Sequence, residues 1–198
     1  MTDSRENINI LTRFMQSEVY ASLDSITKAN LVEKRAELCG HYFLKMAANL
    51  NRNKVQGCYA PHKAVMIITI MELVESGHIT NNVVCLNQEL KDKFKQVWTR
   101  LVPNGSPFKC GYRNPFLYMD SEPFWKLSSN HDKAYITKES WFAFSHSASR
   151  AVIKDYLEKS ISDDTISSQY RTNHPNLDWM TAEDILGFIP FLSLFAAV

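Results

Sequence analysis

Lys109, Tyr112, Arg113, Asn114 and Lys126 gather cations and a phenol ring around two short aromatic runs, Phe116-Leu117-Tyr118-Met119 and Phe124-Trp125-Lys126-Leu127. Cations of this kind meet phosphate oxygens, and rings beside them offer stacking or apolar contact, so the pattern suits a nucleic-acid backbone. Phe116, Tyr118, Phe124 and Trp125 also alternate as a half-buried hairpin would, so core packing is an equally open reading of each. Charge is distributed in the same sense. Residues 91 to 133 hold eight basic side chains against four acidic ones, although the whole chain of 198 residues carries a net charge of only +1. The middle of the chain is its basic part.

Residues suited to bond-breaking chemistry are sparser. There is no Walker loop, GxGxxG, GxSxG or HExxH pattern. The six histidines, His41, His62, His78, His131, His146 and His174, lack the spacing of metal ligands. Asp120, Glu122 and Lys126 come nearest to a metal-dependent nuclease cluster, yet they sit in and beside a tight turn and lack the usual acid-x-lysine ending. Ser145-His146-Ser147 sets hydroxyls beside an imidazole, but neighbours in sequence rarely form a triad. The expectation is a non-catalytic chain with no metal and no cofactor, with a nuclease of unrecognised site as an alternative.

Composition bounds the setting. With 45% hydrophobic and 22% charged residues, the chain reads as an ordinary soluble globular protein able to bury a real core. Cys39, Cys58, Cys85 and Cys110 are widely spaced and form no CxxC pair, which points away from zinc and disulfides and toward a reducing cytoplasm. No secretory signal is expected at the start. The apolar tail from Phe188 to Val198 is shorter than the roughly 20 residues a membrane span needs, so it is expected on the core or on a second subunit, as in a homodimer.

The elements that must position the basic and aromatic residues are organised around Ala60 to Gly77. This run is apolar on nearly every side, with Glu72 and Glu75 as the main exceptions, and β-branched enough from Val65 to Ile70 to suggest a buried strand. Its length, its Pro61 at a first-turn position and its Gly77 stop favour a helix that other elements must cover all round. Before it, residues 1 to 57 read as a helical scaffold in two pieces separated near Ser22 to Thr27, then an Asn-rich loop ending at Gly57. After it come a short strand at Val83 to Leu86, an Asn87 cap, and a helix over 88 to 101 with Leu90, Phe94, Val97, Trp98 and Leu101 on one face. The two aromatic runs, joined by Asp120-Ser121-Glu122-Pro123, read as a β-hairpin. From Tyr135 the chain reads as helical again, with a polar stretch from Ser160 to Asn176 and a last helix from Thr181.

Helix, strand, helix and hairpin in that order match a winged-helix module, the hairpin being its wing. The expected class is mainly α (α+β): a helical domain with a winged-helix-like centre and a small β-hairpin. The expected division is a scaffold over 1–57, a DNA-binding core over 58–134, and a C-terminal helical segment over 135–198 packed on the same domain.

Several of these pieces resemble one family. Ala60-Pro61-His62-Lys63 opening an aliphatic helix, the turn Glu75-Ser76-Gly77-His78-Ile79, Phe94-x-x-x-Trp98, and Asn114-Pro115-Phe116-Leu117-Tyr118-Met119 leading to Phe124-Trp125-Lys126-Leu127 are similar to the sulfur-recognising domain of phosphorothioate-DNA-dependent restriction endonucleases. The resemblance spans about residues 58 to 128. It implies bacterial restriction of modified double-stranded DNA, with Pro115, Phe116 and Tyr112 forming an apolar cavity for the nonbridging sulfur and His62, Lys63 and Arg113 holding the backbone. Sulfur is larger and less well hydrated than oxygen, so an apolar wall costs it less. Lys109 and Lys126 join these as phosphate contacts. Tyr118-Met119 stands where the family often has His-Leu, and no HNH nuclease motif accompanies the pattern here, so cleavage is expected from elsewhere or not at all. The rival reading is a structural or protein-interaction module of the same fold without DNA binding.

Overall fold

The computed structural model describes residues 4–162; the polar stretch from 163 to 176, the last helix from Thr181 and the apolar tail lie outside the described residues. The chain is mainly helical with two small antiparallel sheets. In order, the elements are α1 (Ser4–Phe14), α2 (Glu18–Ser22), α3 (Ser25–Ala48), β1 (Lys54–Val55), β2 (Cys58–Tyr59), α4 (His62–Glu75) and β3 (Val83–Cys85). They continue with α5 (Gln88–Leu101), α6 (Arg113–Tyr118), β4 (Trp125–Leu127), β5 (Lys133–Ile136), α7 (Lys138–Ser145) and α8 (Ser147–Ser162).

The apolar run beginning at Ala60 is a helix, α4, buried continuously from Lys63 to Leu73. An element that is greasy all round has no wet face to offer, so α5, α6, α7 and α8 all pack on it. Helix α5 has the expected limits: Asn87 caps it by accepting the Leu90 N–H at 2.9 Å, and Leu90, Phe94, Val97 and Trp98 are buried. Phe43 of α3 sets its ring edge-on to Phe124 and Phe144, with centroids 4.9 and 4.8 Å away, so the scaffold, the sheet region and α7 share one core. Gly40 of α3 faces Ser149 of α8 so closely that an added Cβ would stand 3.3 Å from the Ser149 Cβ, which lets the two helices pack tightly there.

Three expectations are corrected. Phe116 to Met119 is not a strand but lies in α6 and the 3-10 turn Met119–Ser121 that follows it. Phe116 and Met119 are both fully buried while Tyr118 is exposed, a three-residue period that a strand cannot supply, and Pro115 is tolerated because it sits in the first turn. The partner of β4 is therefore β5, with Trp125 opposite Ile136 and Leu127 opposite Ala134, so Tyr135 and Ile136 belong to a strand rather than to a helix. β5 also pairs with β3, giving the antiparallel order β3-β5-β4. The Asn-rich loop folds back as the hairpin β1–β2. Its two tip residues, Gln56 (φ 52°) and Gly57 (φ 86°), both take left-handed backbone, the requirement of the tightest hairpin turns and the reason for a glycine.

Among the described residues, no helix is long and apolar enough to cross a membrane.

Candidate nucleic-acid interface

The N-terminus of α4 opens onto a cleft of about 920 Å³. On one side stand Asn51, Arg52 and Asn53, leading into β1. The loop after α5 contributes Phe108, Lys109 and Cys110. The floor comes from α6 and the turn behind it, through Pro115, Leu117, Tyr118 and Ser121.

Local chemistry holds each wall. His62 is half-buried at the start of α4, and its ring packs against Trp98 and Phe108 with centroids 4.7 and 5.8 Å apart. Burial keeps its pKa below the ordinary 6.5, although the hydrogen bond to the Lys109 carbonyl pulls the other way. As a neutral ring, its Nε2–H donates to that carbonyl oxygen at 2.9 Å, which ties the loop carrying Lys109 to the first turn of α4. At the hairpin, the Arg52 guanidinium and the Lys54 ammonium both lie over the Tyr59 ring, 5.1 and 4.9 Å from its centroid. One ring thus holds two cations beside the cleft. No side chain caps the N-terminus of α4, where Pro61 occupies the cap position. The positive end of the helix dipole faces the same space.

Of the residues expected from sequence, His62, Lys63, Lys109, Asn114 and Pro115 line this one cleft. Their roles divide. Lys109 is exposed and presents a cation. Lys63 is 8% exposed, and its ammonium pairs with the buried Glu122 carboxylate and lies 3.3 Å from Ser121 Oγ, so it enters the cleft as part of a neutral pair rather than as a backbone-gripping charge. Phe116 is fully buried, edge-on to Trp125, whose indole N–H donates to the Phe116 carbonyl at 3.1 Å; it is core and not cavity wall. Tyr112, at the N-cap of α6, and Arg113, its first residue, do not line the cleft, Tyr112 being half-buried and Arg113 exposed. Lys126 is exposed on the solvent face of the sheet, directly across the ladder from Tyr135. The acids expected beside it have structural partners: Asp120 Oδ1 accepts the Leu127 N–H at 2.8 Å, and Glu122 faces Lys63.

Arg52, Asn51 and Asn53 were not expected at the site. Their signal was present as cations and Tyr59 flanking the Gln56-Gly57 turn, the composition of a basic hairpin rather than of an open loop. Tyr118 was expected as one of the alternating hairpin rings; it is instead 67% exposed and lines the floor of the cleft.

A second groove, of about 670 Å³, runs between α1, α3 and the start of α8. Its walls are mainly apolar, through Leu11, Leu31, Leu44 and Val152, and Lys34 is already paired with Glu37 at 3.2 Å. None of the residues expected from sequence reaches it, and it offers no cation surplus to a phosphate.

No protein-family model matches the chain, and no curated protein matches it.

Proposed function

We propose that the chain is a DNA-binding protein that seats the sugar-phosphate backbone in the cleft at the N-terminus of α4. The observation that carries this reading is that Arg52, Lys109 and the first turn of the buried helix α4 line one cleft. Two cations and a helix N-terminus in one cleft make a natural seat for phosphate. The element order supports it as well. Helix α4, strand β3, helices α5 and α6, and the hairpin β4–β5 with sheet order β3-β5-β4 follow one another as in a winged helix, with the loop from Ser128 to Asp132 where a wing would be. Pro115 and Leu117 give the cleft an apolar patch beside its cations, which is the surface a phosphorothioate sulfur would favour over an oxygen. The four free thiols suit a cytoplasmic setting.

Retention of plain and phosphorothioated duplexes, and of the corresponding single strands, across a salt series tests this. Binding should weaken steeply with salt, and Lys109→Ala or Arg52→Ala should each lower the salt slope by about one, as expected for loss of one phosphate contact. No retention at low salt, or an affinity indifferent to salt, overturns the reading and leaves a protein-interaction module.

A further inference from the structure

We infer that the cleft receives one unpaired nucleotide, from a single strand or extruded from a duplex, with the exposed ring of Tyr118 as its stacking partner. This rests on the DNA-binding reading above and narrows the substrate class.

Shape is the first ground. Proteins that read an intact duplex push a convex element, a helix or a ribbon, into a groove about 12 Å wide. Helix α6 is poorly suited to such insertion, being six residues long with Pro115 and Phe116 buried. The basic site is concave instead. Its volume of about 920 Å³ falls in the range of roughly 300–1,000 Å³ that holds one small molecule. A base with its sugar fits such a space, whereas a paired helix would lie across its mouth.

Chemistry is the second ground. Tyr118 is 67% exposed, although its helix neighbours Phe116 and Met119 are fully buried, and it lines the cleft together with Phe108. An exposed ring in one cleft with cations is the pairing that single-stranded binders use, ring against base and cation against phosphate. Asn51, Asn53 and Asn114 add amides to the same walls. An amide offers a donor and an acceptor side by side, which matches the edge of a base freed from its partner.

The test compares three probes of one sequence by fluorescence anisotropy: a single strand, a fully paired duplex, and a duplex with a one-nucleotide bulge, with 2-aminopurine at the unpaired position. The single strand or the bulged duplex should bind at least about tenfold more tightly than the paired duplex, with quenching of 2-aminopurine. Preference for the bulge alone identifies extrusion from a duplex, and preference for the strand alone identifies a single-stranded substrate. Tyr118→Ala should remove the preference and the quenching, lowering affinity for the single strand or the bulged duplex far more than for the paired duplex, and Tyr118→Phe should retain both. Paired duplex bound as tightly as the other two, or Tyr118→Ala weakening all three alike, overturns the inference while leaving DNA binding intact. Absence of binding to any probe at low salt overturns both.

Discussion

The ammonium of Lys63 and the carboxylate of Glu122 meet in an ion pair with 10% and 5% of their side chains exposed. The same Glu122 Oε1 accepts the Asn51 N–H at 3.2 Å. One carboxylate therefore joins the first turn of α4, the turn after α6 and the segment entering β1. Those are three of the surfaces that frame the cleft.

Removing one member strands a charge away from water. Glu122→Ala should lower unfolding free energy by about 3–5 kcal/mol in urea denaturation. The double variant Lys63→Met with Glu122→Leu should regain most of that loss, because the penalty comes from the widowed charge and not from the missing attraction. Equal losses in the single and double variants would contradict this account.

Glu72, on the opposite end of α4, gathers three cations. Its carboxylate hydrogen-bonds Arg100 and lies 3.0 Å from Lys93 and 3.6 Å from Lys154, which joins α4 to α5 and α8. Burial raises its pKa, but the hydrogen bonds from Arg100 and Lys93 outweigh that, and the net shift is downward. Glu72→Gln should cost about 2 kcal/mol, the scale of a hydrogen bond to a charged group, with little effect of moderate salt because the carboxylate is only 8% exposed. Thermal unfolding of the variant at two ionic strengths measures both.

Acidification should weaken the fold in two stages. His62 and His41 both titrate below their ordinary value of 6.5, chiefly through burial. For a base whose folded pKa is depressed, the unfolded chain takes up the proton first. Stability is therefore complete above pH 6.5 and declines as pH falls toward the folded values. Glu72 follows in the lower range: its contribution is present above its ordinary 4.5 and is lost as pH falls through its depressed folded value. Denaturation midpoints from pH 8 to 3 should show both declines. The double variant His41→Gln with His62→Gln should flatten the upper decline alone.

The parts most legible in the sequence were those with one strong local signal. Helix α4 announced itself by an uninterrupted apolar run between Pro61 and Gly77, and α5 by its stripe and its Asn87 cap. Helix α6 was hidden because four consecutive large side chains, Phe116 to Met119, look alike to any local pattern, and only the surrounding core decides that Phe116 and Met119 turn inward together. With that run taken for a strand, the pairing of β4 with β5 is masked, although Ser128 to Asp132 is a polar connector of hairpin length. At the cleft, the residue types were readable but their duties were not. Nothing local to Lys63 reveals that Glu122, 59 residues later, neutralises it.

The enclosure of α4 bears on how the protein moves. Amides at its middle should be the slowest in the chain to exchange with deuterium, since exposing them requires α5, α6, α7 and α8 to part together. The β1–β2 hairpin and the loop bearing Lys109 flank that helix at its first turn and are largely solvent-exposed, so their amides should give up their protons long before the interior does.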